Sequence, residues 1–493
     1  MTNSDVLLPH EGNQAASTAV SKKYTVRILT QWLPALGIIG SMLYYAAFLY
    51  QHALNIPYAD DIRDILLFLT EVSQSQDWTH SFGLFFAQIN DHRTLSSRIV
   101  YYLVYLLTGE VNFRTLVFVG NLGLPLLLLM LYVPIRQKPN ALLMLLPAAL
   151  VLFQLRLFGT SFWSMNAFAF LFVFVYGFAS LICLRKLNPA RFLGAILFAA
   201  LATFTLASGQ LIWLVGIACV AHQVFVVRRA PVTYLLAWVL AACAVLAIYR
   251  IDYESAISLD QLLGVLQDEP LNLVLFFLVS LGRAFTDNNV ALAVGSGVVL
   301  LIAVVWSSMR RWRGDDISLD LFAWYIILSL FAVAIARISA ISWSQATGAL
   351  PANISISDAA MFMVFSARYA LFSVLLLATT VVLLLSTLHG GRALAINIII
   401  VLLAFVYCAL SYRVSLVGLQ EQLYIMVGGH NSKSYWAFGD TNNESNLIVS
   451  NAEALGIYRP PARPLPIPNL TGSTHTKALR PSSAKQHKPK KAQ

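Results

Sequence analysis

The chain has 493 residues, of which 58% are hydrophobic and only 11% charged, far below the roughly one quarter charged that soluble globular proteins carry. Its formal charge of +10 is concentrated at one end: residues 454–493 hold eight Lys and Arg and no Asp or Glu, leaving 25 basic against 23 acidic residues elsewhere. A soluble globular fold is excluded, no folded basic face is left for a nucleic acid, and continuous apolar runs of about 20 residues specify an all-α polytopic membrane protein rather than a membrane barrel.

In chain order, residues 1–28 are polar and carry Lys22, Lys23 and Arg27. They read as a cytoplasmic N-terminal segment before a retained first span at 31–50. The long loop 52–96 follows, opened by NIPYADDIRD at 55–64. Within it, Ile62, Ile65, Leu66 and Leu69 recur at helical spacing, which predicts an amphipathic helix at 61–74 lying along the membrane surface. Further apolar segments fall at 97–109, 114–134, 141–157, 162–184, 192–207, 210–227, 233–250, 271–286, 289–309, 319–341, 360–387 and 393–412.

Basic connections at 136–138, 185–191, 228–229, 310–313 and 390–392 mark one side as cytoplasmic. Placing all of them there requires 97–109 and 271–286 to be surface or re-entrant helices, which gives eleven crossings; counting both gives thirteen. Either number puts loop 52–96 and the C-terminus outside, as the first periplasmic loop and the chain's end. The organisation expected is a transmembrane module at 29–412, a small periplasmic helical region at 413–458 and a disordered, basic, Pro-rich tail at 459–493. Cys183, Cys219, Cys243 and Cys408 lie within apolar runs without metal-like spacing and read as small buried hydrophobes.

The candidate chemistry lies outside. Asp60 and Asp61 stand just after a span, where carboxylates are costly unless they pair or work. A vicinal pair can take a proton from a hydroxyl as general base or hold a divalent cation against a phosphate; the bland alternative is helix N-capping. NDHRTLSSR at 90–98 adds Asp91, His92, Arg93 and Arg98, and guanidinium groups match phosphate oxygens; snorkelling at lipid headgroups is the competing account. Arg368, beside Tyr369 inside an apolar run, needs a polar cavity or a partner, and Arg337 is a weaker case of the same kind. Trp163, Asn166, Gln210 and Trp213 fall near the outer face, where tryptophans usually anchor and less often stack on sugars. No phosphate-binding loop, dinucleotide fingerprint or nucleophile elbow is present.

This layout resembles the GT-C superfamily of integral-membrane glycosyltransferases: a cytoplasmic N-terminus, one span, then a long outer loop opening on an acidic pair, here Asp60–Asp61. More narrowly it is similar to bacterial members carrying Asn-Glu-His-Arg ahead of an Arg-Leu helix, here Asn90-Asp91-His92-Arg93 followed by Arg98, with Asp91 departing from the Glu. The Trp163/Asn166 segment, LASGQLIWLVG at 206–216 with Gln210, and Arg368–Tyr369 extend the likeness. The resemblance implies a bacterial inner-membrane enzyme with its site facing the periplasm or exterior. It would move a sugar from a polyprenyl-phosphate donor to a glycan, lipid or secreted-protein (for example pilin) acceptor by inverting single displacement. Asp60 or Asp61 would be the base; Arg93, Arg98, Arg368 or His92 would meet the phosphate's charge. No cofactor is implied with certainty, and a divalent cation on Asp60 and Asp61 stays open. A transporter or flippase of a lipid-linked saccharide is the alternative, followed by a scaffold of an export complex; a polymerase or ligase of O-antigen type is the alternative within the enzymes.

Overall fold

The computed structural model describes residues 28–468, except 256–257, 348–353, 365, 389–390 and 436–441. The leader before residue 28 and the tail beyond 468 lie outside the described residues. Lipid offers no hydrogen-bond partners, so spanning backbone must satisfy itself within helices, and the described chain does so. Among the described residues nine helices are long and apolar enough to cross a membrane: Thr30–His52, Phe113–Tyr132, Ser164–Leu184, Ala207–Val226, Thr233–Arg250, Val290–Arg311, Ser318–Ala346, Ala367–Thr387 and Ala393–Ser432. Two bent pairs, Ala141–Leu152 with Leu155–Ser161 (48°) and Asp260–Asp268 with Pro270–Phe285 (91°), raise the number to eleven at most. The protein is a multi-pass, all-α membrane protein.

The helix at 97–109 is short, as expected. The apolar run at 192–207 forms only the 15-residue helix Pro189–Thr203. At about 1.5 Å per residue that falls short of a hydrocarbon core of about 30 Å. The helix expected to end at 412 runs unbroken from Ala393 to Ser432, so no boundary separates a module ending at 412 from an outer region starting at 413. Cys243 is exposed on Thr233–Arg250 rather than buried.

The basic connections meet at one end of the bundle. Lys138 donates to the Ser386 carbonyl at 2.9 Å, Arg185 pairs with Asp316 at 2.5 Å, Arg229 with Asp315 at 3.1 Å and Arg311 with Asp320 at 3.2 Å. At the other end the 52–96 loop, the turns before Ser164 and Ala207 and the segment after Arg250 converge. The C-terminal segment joins this second end. Val111 donates to the Ile457 carbonyl at 2.6 Å, Tyr458 Oη to the Asn55 carbonyl at 2.9 Å, and Arg459 pairs with Glu110 at 3.0 Å.

A second core forms at this end. A π-helical stretch, Ile62–Leu67, continues into the α-helix Phe68–Gln74. Its apolar face is covered by protein rather than lipid: Ile62, Ile65, Leu66 and Leu69 are buried with Tyr101, Leu423, Val449 and Tyr458. This corrects the expected surface helix, since the apolar spacing is real but Asn442–Ala454 packs on it. The Pro-rich stretch also begins ordered. Asn431 exchanges two hydrogen bonds with Leu465 (2.9 and 2.8 Å), and His430 bonds the Pro461 carbonyl at 3.1 Å. Residues 459–468 of the tail expected to be disordered therefore pack against the rest of the chain.

The crossing of Phe113–Tyr132 with Ser164–Leu184 depends on Gly120, where an added Cβ would lie 2.6 Å from Ala167 Cβ and 2.7 Å from Phe168 N. Gly120→Ala should cost about 1–3 kcal/mol by overpacking against backbone, read as a lower melting temperature in detergent. Gly40→Ala, with nothing within 4 Å, should leave it unchanged.

Candidate functional site

The acidic pair sits on a tight turn before the π-helical stretch. Asp61 and Ile62 donate backbone N–H to the Tyr58 and Ala59 carbonyls (3.1 and 3.2 Å), and Asp64 to Asp60 (2.9 Å). Ala59 is held at φ 49°, in the left-handed region, a cost of about 1–3 kcal/mol that the surrounding packing must sustain. The turn separates the two carboxylates. Asp61 is 1% exposed and receives the Tyr58 N–H (3.1 Å) and the Met165 N–H (2.8 Å). Met165 lies in the first turn of Ser164–Leu184, whose N-cap residue Trp163 makes no capping bond. Asp61 thus caps a helix far along the chain instead of its own. Asp60 is the more exposed of the pair at 8%. Burial, opposed by the two N–H groups, pushes the Asp61 carboxyl up to about 8.

NDHR is a small hairpin, Gln88–Ile89 pairing with His92–Arg93, with Asn90 at φ 48°, a conformation asparagine tolerates. Neighbouring strand residues point to opposite faces, which splits His92 from Arg93. The Arg93 guanidinium is saturated by backbone: Nε donates to the Tyr249 carbonyl at 2.9 Å, and its other nitrogens donate to the Phe86 and Ile251 carbonyls. Arg98 is similarly spent, on buried Asp64 at 3.1 Å and on the Leu84 and Ala87 carbonyls at 2.6 and 2.7 Å. Both arginines hold the loop together, and neither lines the cavity that His92 faces.

His92 instead lines a cavity of about 490 Å³ with Asp91, Ser208, Tyr253, Arg337 and Tyr369. Its remaining wall is largely apolar, including Phe170, Leu206, Val333 and Trp343. The Ala207 N–H points at His92 Nδ1 at 3.4 Å, so a neutral ring carries its proton on Nε2. Burial and the charges of Arg337 and Arg368 pull its pKa down to about 4. The Ser208 and Tyr369 hydroxyls are buried and without a hydrogen-bond partner. Arg337 lies 5.8 Å from the Tyr369 ring centroid.

Arg368 joins this cavity to the acidic turn. Its guanidinium carbon is 5.2 Å from the Tyr369 ring centroid and 5.9 Å from that of Trp163, which meets Tyr58 edge-on at 5.1 Å. Gly159 permits this approach, since a Cβ there would stand 2.4 Å from Ala367 Cβ. Asn166 is buried and donates to the Gly159 carbonyl at 3.4 Å. Gln210 is half-buried and does not line the cavity, and Trp213 is a core residue bonded to Thr203 at 2.9 Å. The structure thus brings together Asp60, Asp61, Asp91, His92, Trp163, Arg368 and Tyr369, promotes Arg337, and adds Ser208 and Tyr253, whose hydroxyls gave no signal in sequence. Among the described residues no group of three or more His, Cys, Asp or Glu could hold a metal. In comparisons with protein-family models, curated proteins and solved structures, none matches this chain.

Two outcomes follow for stability. Arg98→Ala leaves Asp64 as a buried unpaired carboxylate and should cost about 3–5 kcal/mol, seen as loss of folded protein, while Arg337→Ala should fold normally. The second concerns pH. A carboxyl raised from 3.8 to about 8 keeps, when folded, a proton that the unfolded chain has released. Stability therefore falls as pH rises between those values and levels off above about 8. His92 gives the opposite slope, confined between about 4 and 6.5. From pH 6.5 to 8 the melting temperature should decline, and Asp61→Asn should flatten that decline.

Proposed function

We propose that the chain is an integral-membrane glycosyltransferase of GT-C type, taking a sugar from a polyprenyl-phosphate donor. The observation that carries this reading is the cavity's mixed lining. Two buried hydroxyls without a partner among the described residues share the cavity with Arg337, His92 and a largely apolar wall. An amphiphile with a phosphate head matches such a site, because the hydroxyls and guanidinium supply the donors that phosphate oxygens require. The positive-inside rule supports a cytoplasmic basic end and hence an outward-facing site in a bacterial inner membrane. Activated nucleotides are absent there, which favours a lipid-linked donor.

Asp60 is the general base in this reading. Asp61 has both oxygens committed to backbone N–H groups, and holding its own proton it spares Asp60 a neighbouring negative charge. Asp60 removes the proton of an acceptor hydroxyl on an envelope glycan, a lipid or a secreted protein as that oxygen attacks the anomeric carbon. The bond from that carbon to the phosphate oxygen breaks, inverting the centre. Arg337, Arg368, Tyr369 and the His92 Nε2 proton meet the charge of the departing phosphate. Should a divalent cation take part, the Asp60–Asp61 pair would hold it.

A transporter of a lipid-linked saccharide is the second reading, favoured by the two bent helix pairs (48° and 91°), since broken helices line transport sites. Asp60→Asn separates the two. The transferase should lose about 10²- to 10⁴-fold in kcat with KM little changed, measured with purified protein, a synthetic polyprenyl-phosphate sugar and an acceptor. Unimpaired transfer by Asp60→Asn would overturn the assignment of the base, and no transfer by the native protein with any acceptor class would favour the transporter.

A further inference from the structure

A second cavity, of about 390 Å³, lies at the opposite, basic end of the bundle, between the turn at Val133–Gln137 and the helix end at Ile182–Lys186. Four cations line it: Arg136, Arg185, Lys186 and Arg191, with Val133, Ile182 and Cys183 as apolar wall and no carboxylate. Excess Lys and Arg is ordinary at a cytoplasmic face, so position alone says nothing. Convergence of unpaired cations on one wall does. Elsewhere at this end Arg229 and Arg311 pair with Asp315 and Asp320 and Lys138 donates to the Ser386 carbonyl, while Arg228 and Arg313, which pair with no carboxylate among the described residues, do not line this cavity. In this cavity only Arg185 is paired, with Asp316 at 2.5 Å. The exposed side chains of Arg136, Lys186 and Arg191 have no hydrogen-bond or ion-pair partner among the described residues.

The level of the cavity narrows the ligand. Arg136 also lines an adjoining cavity of about 330 Å³ with Thr30, Tyr132 and Trp32, and Trp32 is 58% exposed at the start of the first span. An exposed tryptophan at a span's end sits at headgroup depth. Three uncompensated cations around a concave, partly apolar wall at that depth match an anionic headgroup with acyl chains running down the helix surface.

We propose that Arg136, Lys186 and Arg191 form a binding site for the phosphate of an anionic glycerophospholipid, separate from the cavity at the acidic end. The inference does not depend on the proposed transfer reaction. The test uses the full-length protein in neutral detergent, titrated with phosphatidylglycerol, phosphatidylcholine or sodium pyrophosphate, with thermal unfolding as readout. Phosphatidylglycerol should raise the native protein's melting temperature and phosphatidylcholine should not. Combining Arg136→Gln, Lys186→Gln and Arg191→Gln should weaken the apparent phosphatidylglycerol affinity about tenfold or more. Arg229→Gln, which removes a paired cation of the same end, should keep it. Without anionic lipid the triple variant should melt like the native protein, because the three side chains hold nothing else in place. An unchanged lipid response in the triple variant, or a triple variant already destabilised without lipid, overturns the proposal. Equal protection by pyrophosphate alone reassigns the site to a soluble phosphate and overturns it as a lipid site.

Discussion

Asp61 fastens the 52–96 loop to the bundle. A helix beginning at Ser164 leaves backbone N–H groups that its own sequence does not satisfy, and a carboxylate 104 residues earlier supplies an acceptor for one of them. With its other oxygen Asp61 closes the turn that carries it. One side chain thereby fixes the angle at which Asp60 is presented, the strained backbone at Ala59, and the contact of Tyr58 with Trp163 that brings Arg368 alongside. Capping, the bland account of the acidic pair, turns out to describe one member of it, and the helix capped is a remote one.

Charge is handled in two contrasting ways around this turn. Arg93 and Arg98 are buried at 6% and 5% exposure, and such groups are tolerable only when their donors are met. Backbone carbonyls from separate segments, together with Asp64, meet them. The cavity next door is built the other way, with hydroxyls left unmet and Arg337 half-buried. A rigid, satisfied shell around an unsatisfied pocket is how a binding site is kept in shape before its ligand arrives.

Much of this was readable in the residues. Hydropathy located the spans, and the charge of the connections sorted the two ends before any geometry. Asp60 and Asp61 stood out because carboxylates beside a span are costly. The structural work of Arg93 and Arg98 was not legible for a definite reason: sequence reveals that a residue is a donor but not which carbonyls, some about 160 residues away, will use it. Ser208 and Tyr253 passed unnoticed because a hydroxyl has no periodicity and little cost until burial strips it of water. Arg337 stood as the weaker counterpart of Arg368, and the apolar neighbours it shares a cavity with are the wall that gives it a role.

The helix Ala393–Ser432 has 40 residues, about 60 Å at 1.5 Å per residue, against a hydrocarbon core of about 30 Å. One half is apolar and long enough to cross a bilayer by itself, and the other, through Leu419, Leu423 and Met426, is built into the core that carries the acidic turn. With no hinge between those halves, the helix works as a depth gauge. The height of the outer layer above the bilayer midplane is set by a count of residues, and a thicker or thinner membrane shifts lipid along the helix while the acidic turn keeps its distance from the buried end.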